Sequence, residues 1–187
     1  MNQDDKERWF NFCLAQLEQR EKNLRYWNTQ DKQPLLQWLS KRELPSYDTV
    51  CNVGCIFDYE EHGYYQDLAS TFDNIIYVDI SKDALDDLEM NLSGNNIRCY
   101  KTEGLELSGI ASDSVDFIMS TDSLVRLKID DALKYFKEFR RVLKSTGAFA
   151  IHLALNMEDS ETLINEISSW STVLPFPEAD YVAGVKK

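Results

Sequence analysis

The rhythm of apolar and polar positions changes near Pro45. Before it, Trp9, Cys13 and Leu17 stand four apart and Leu24 follows seven later, which makes one apolar stripe along a helix whose other face is polar. Pro34 suits the first turn of a second short helix carrying Leu35, Leu36, Trp38 and Leu39. Beyond Pro45, short apolar runs alternate with amphipathic stretches. Strands are predicted over 49–53, 74–78, 97–100, 115–119 and 148–153, and helices over 63–72, 83–92, 130–143 and 161–170. Ser81 is a good N-cap for the helix over 83–92, which has an acidic first turn. Thr146-Gly147 reads as the stop for the helix over 130–143. Two closely spaced strands, 172–174 and 181–185, follow.

Strands that are apolar throughout and separated by helices imply a parallel sheet covered on both faces. The predicted fold is α/β: a Rossmann-like, doubly wound, seven-stranded, mostly parallel sheet with an antiparallel edge hairpin, preceded by N-terminal helices. It reads as a single domain over 1–187, with 1–44 as a helical cap and 45–187 as the core. Such a sheet binds ligands at the carboxyl ends of its strands, where the strand order reverses. The residues to watch therefore follow Val53, Val78, Tyr100 and Met119.

Composition narrows the field. The chain of 187 residues is 43% hydrophobic, which suits one globular unit. No stretch approaches a membrane span, and the start Met1-Asn2-Gln3-Asp4-Asp5 lacks the features of a secretory signal, so the expected compartment is cytoplasmic. The four cysteines (Cys13, Cys51, Cys55, Cys99) include no Cys-x-x-Cys pair, and His62 and His152 stand alone, so no metal site is expected. The net charge of −12 argues against nucleic acid as a partner. Lys134, Lys137, Arg140, Arg141 and Lys144 crowd one segment and read as the solvated face of a helix. The oligomeric state has no signature in the sequence.

Two residues carry the first chemical signal. Gly54 ends the first strand of the core, where a glycine permits close backbone approach. Asp79 ends the second, 25 residues further on, where a carboxylate accepts from ribose hydroxyls or, more plainly, helps to cap the next helix. The run Val50-Cys51-Asn52-Val53-Gly54-Cys55 resembles the first motif of the class I S-adenosylmethionine-dependent methyltransferases. Val78-Asp79-Ile80-Ser81 with Ala84-Leu85 is similar to the second, and Thr102-Glu103-Gly104-Leu105-Glu106-Leu107 to the third. Ser114 to Ser120 resembles the family's fourth strand, and Phe139 to Gly147 the helix and turn before the fifth. The resemblance spans residues 45–187. It implies that S-adenosylmethionine is the cofactor, with Gly54 under its methionine part and Asp79 on the ribose hydroxyls. Ile80 would pack on the adenine and Glu103 would accept from the adenine amine beside the Gly104 backbone. Ser120 and Thr121 would border the methionine moiety.

The chain departs from the family in two places. Ile56 and Asp58 stand where two further glycines are usual, and Asp58, Glu60 and Glu61 add negative charge to a longer stretch before Gly63. Asn52 replaces the common acid. After the fourth strand, Ser123-Leu124-Val125-Arg126-Leu127 holds no histidine to act as a base, and no catalytic residue is assigned. The resemblance thus implies a methyltransferase acting on a small molecule or a protein side chain. The alternative is a non-catalytic member with its pocket filled by Ile56 or Phe57. A nicotinamide dehydrogenase ranks last, because Gly54 to Tyr59 lacks Gly-x-Gly-x-x-Gly.

Overall fold

Seven segments align as one sheet whose central strands β1, β2 and β4 are buried along nearly their whole length, while β3, at the edge, is only partly covered. The computed structural model describes residues 46–54, 72–92, 96–120, 123–124, 127–173 and 181–187. The expected N-terminal helices, the stretch 56–62 and the helix over 63–72 (Phe72 apart) lie outside the described residues. The strands are β1 (Thr49–Val53), β2 (Asn74–Asp79), β3 (Ile97–Lys101), β4 (Val115–Ser120), β5 (Leu143–His152), β6 (Ser171–Val173) and β7 (Tyr181–Lys186). Their order is β3-β2-β1-β4-β5-β7-β6. The first five run parallel, and β7 lies antiparallel to both β5 and β6. The order reverses between β1 and β4, so the ligand-binding crevice of such a sheet falls at their carboxyl ends.

Each face of the sheet has its own core. On one face Cys51, Val53, Ile76, Val78, Ile118 and Phe149 meet helix α2 (Ile129–Val142) and helix α3 (Met157–Ser168). Phe136 of α2 packs edge-on against Phe139 and Phe149, with ring centroids 5.2 and 5.3 Å apart, a preferred aromatic geometry. On the other face Val50, Ile75, Tyr77, Phe117 and Met119 meet Ala84, Leu85 and Leu88 of helix α1 (Lys82–Asn91). Ser81 caps α1 as its sequence indicates, its side chain accepting from the Ala84 N–H.

Two boundaries differ from expectation. The helix expected over 130–143 ends at Val142, and Leu143 already opens β5, fully buried opposite Val115. The turn signal Thr146-Gly147 acts inside β5: the register steps from Val115↔Leu143 to Phe117↔Ala148, and Thr146 takes φ 70°. Burying Leu143 outweighed continuing the helix. The helix expected over 161–170 starts earlier, at Met157, because Asn156 caps it by accepting from the Asp159 N–H at 2.9 Å.

The basic segment is also only partly a solvated face. Lys134, Lys137 and Arg140 are exposed. Arg141 turns inward to the β3–β4 loop. Lys144 pairs with the buried carboxylate of Asp116 at 2.8 Å and with Asp48 at 3.1 Å. Both cations are fixed by groups distant in sequence, which helical spacing does not reveal. No helix among the described residues is long and apolar enough to cross a membrane.

Candidate functional site

Parallel pairing in register brings the ends of β1, β2 and β3 to one level, with Val53 beside Val78 and Asp79 beside Lys101. Met119, the residue before Ser120, pairs with Asn52. Gly54, Asp79, Ile80, Glu103, Gly104 and Ser120 therefore share one rim of the sheet.

Gly54 extends the β1–β2 ladder, its N–H donating to the Val78 carbonyl at 2.7 Å. Its φ of +88° is a conformation that L side chains rarely adopt, and a Cβ there would overlap the Ser123 side chain. Close approach is thus realised within the protein, by the segment that follows β4. Asp79 is half-buried and accepts the Ser81 N–H at 2.8 Å on Oδ1, so it shapes the turn into α1. The Asp79 carbonyl accepts the Thr102 N–H at 2.9 Å, which ties the exit of β3 to that of β2. Ile80, 66% exposed, offers an apolar surface beside this carboxylate.

Glu103 is 92% exposed and pairs with Lys101 at 3.0 Å, a surface contact of small net value. Gly104 has φ +144° and open space where a Cβ would stand, so conformation rather than crowding requires glycine there. Its N–H donates to Thr102 Oγ1 at 3.2 Å and its carbonyl accepts from the Tyr135 hydroxyl at 2.8 Å. Thr121 lies outside the described residues.

Among the described residues, the buried Ser120 hydroxyl and both polar atoms of the buried Asn52 amide, near the rim, have no hydrogen-bond partner. Such groups are rare in folded proteins and point to function or to an absent partner. Burial pushes the Cys51 thiol up to about 12, which leaves it protonated and inert. Burial, and then the negative charge of Asp79, raise the Tyr135 hydroxyl above its ordinary value, so it remains a donor. Among the described residues no group of three or more His, Cys, Asp or Glu gathers as a metal site would require.

A hollow of about 900 Å³ opens between residues 101–108 and α2, lined among others by Lys101, Glu103, Gly104, Glu106, Lys134 and Lys137. Gly54, Asp79, Ile80 and Ser120 do not line it. It adjoins the rim without containing it. Tyr135, Thr102 and Ser123 escape a reading of the sequence, since each acts through a bond or contact between distant segments. The three-residue spacing of Tyr135, Glu138 and Arg141 on one helix flank is the only hint the sequence offers.

A methyltransferase-domain model matches residues 61–151. No curated protein matches the chain. Among solved structures, the N-methyltransferase NodS from Bradyrhizobium japonicum WM9, in complex with S-adenosyl-L-homocysteine, superposes with a TM-score of 0.59 at 14% identity, over 84% of this chain and 85% of that one. A chain of the Haloferax volcanii complex between the Trm112 methyltransferase activator and a methyltransferase gives a TM-score of 0.60 at 14% identity, over 94% and 97%. A SAM-dependent methyltransferase from Aquifex aeolicus gives 0.54 at 15% identity, over 81% and 88%. These likenesses bear on the fold, and the domain match adds the sequence. Together they show that the chain has the fold of S-adenosylmethionine-dependent methyltransferases and carries, over residues 61–151, a stretch that matches a methyltransferase domain.

Proposed function

We propose that the rim binds S-adenosylmethionine and that the chain transfers its methyl group to a small molecule or a protein side chain. The observation that carries this reading is the levelling of Gly54, Asp79 and the Glu103–Gly104 turn at the ends of three adjacent parallel strands. The residues present suit the group. Asp79 offers a fixed carboxylate to the ribose hydroxyls, Ile80 an exposed apolar face to the adenine, and Ser120 a buried hydroxyl in need of a partner. Glu103 would exchange Lys101 for the adenine amine. The bound donor supplies an already activated sulfonium methyl, so the protein's main task is to align it with the acceptor. This reading takes the chain as a single cytoplasmic domain with residues 1–44 as its helical cap, and the acidic chain disfavours nucleic acid as acceptor.

A second reading, a non-catalytic member of the family, is favoured by one observation: the Ser123 side chain occupies the space over Gly54. Calorimetric titration with S-adenosylhomocysteine separates the two. The first reading expects binding, weakened roughly ten- to hundredfold by Asp79→Asn, which keeps the turn acceptor but removes the charge. Absence of binding to the wild type would leave the second reading standing.

A further inference from the structure

The loop between β3 and β4 is hung from one flank of α2. Tyr135, Glu138 and Arg141 stand three apart, so they project along the same side of the helix. Each takes a different part of the loop. The Tyr135 hydroxyl donates to the Gly104 carbonyl at 2.8 Å. Glu138 accepts the Leu107 N–H at 2.9 Å. Arg141 donates to the Leu107 and Ile110 carbonyls, both at 2.8 Å, and pairs with Glu138 at 2.7 Å.

We propose that Tyr135 is a positioning residue of the adenosine pocket: by holding the Gly104 carbonyl it fixes the Glu103–Gly104 turn against the end of β2, and with it the recognition of the adenine amino group by Glu103. This rests on the donor-binding reading above. A glycine at φ +144° tolerates its conformation without enforcing it, so the turn needs external restraint. Thr102 supplies that restraint at the Gly104 N–H and, at 3.1 Å, shares the carbonyl with Tyr135, whose hydroxyl is the nearer donor at 2.8 Å. Because Tyr135 is buried and its ring packs on Phe139 with centroids 5.7 Å apart, the hydroxyl is delivered by a rigid arm. Glu138 and Arg141 hold the distal part of the loop, whereas Tyr135 alone of the three reaches the residue next to Glu103.

The test compares S-adenosylhomocysteine with S-inosylhomocysteine, which carries an oxo group in place of the adenine amine, by calorimetry on the full chain. The wild type is expected to prefer the adenine ligand. Tyr135→Phe keeps the packed ring and removes the donor. It should weaken the adenine ligand about tenfold while leaving the inosine ligand nearly unchanged, so that the preference collapses. Thr102→Val disturbs the same turn from its other side without touching the α2 core, and it should also erase the preference. A preference unchanged in either variant, equal weakening of both ligands together with a lower melting temperature, or no preference in the wild type would each overturn the assignment. Failure of the wild type to bind S-adenosylhomocysteine would instead refute the donor reading itself.

Discussion

The two crossovers that flank β3 solve one problem by opposite means. Between β2 and β3 the chain forms α1, whose backbone groups satisfy one another and whose first turn is closed by Ser81. Between β3 and β4 it forms no helix, and residues 102–114 cover the sheet with Leu107 and Ile110 in irregular backbone. Irregular backbone must find its hydrogen bonds elsewhere, and here a neighbouring helix lends them through Tyr135, Glu138 and Arg141. The self-sufficient crossover leaves the Asp79 carboxylate, at the end of β2, held by a bond within its own turn. The borrowed one makes the geometry of the Glu103–Gly104 turn depend on a side chain some thirty residues away.

Substitutions in the two crossovers should have effects of different size. The largest effect is expected from Arg141→Ala, which removes the guanidinium bonds to the Leu107 and Ile110 carbonyls and the ion pair with Glu138. Denaturant unfolding should show a loss of about 2–4 kcal/mol. Ser81→Ala removes one cap from a helix that keeps all its other bonds, and the same measurement should show about 1 kcal/mol. Glu138→Gln sharpens the contrast through pH. The Arg141 hydrogen bond holds the Glu138 carboxyl below its ordinary 4.5. A group with a depressed folded value stabilises the native state above its unfolded value, and that stability fades as pH falls through the folded one. Melting temperatures measured from pH 6 down to pH 3 should therefore fall less steeply in the glutamine variant below about pH 4.5. The smallest effect belongs to Lys101→Ala, because its pair with Glu103 is exposed. Stability should change by less than roughly 0.5 kcal/mol, while S-adenosylhomocysteine should bind somewhat more tightly to the freed carboxylate.

Much of the sheet was legible because its signals are local. Apolar runs marked every strand, and Ser81 marked the start of α1. The candidate site was legible only as positions at strand ends: Gly54, Asp79 and Glu103 fall on one rim because parallel register puts them there. What stayed hidden depends on contacts between distant segments. Leu143 leaves its helix because a place opposite Val115 is buried. Arg141 and Lys144 turn inward to carbonyls and carboxylates that no periodicity foretells. The need for glycine at residue 54 was visible, but Ser123 as its neighbour was not.

In the proposed function a nucleoside sits on the rim at Asp79 and Ile80. A crystal structure of the protein grown with S-adenosylhomocysteine tests it most directly. The ribose hydroxyls should lie within hydrogen-bond distance of the Asp79 carboxylate, with the adenine over Ile80 and its amine toward Glu103. Density for the ligand in the hollow between residues 101–108 and α2, or none at the rim, would contradict it.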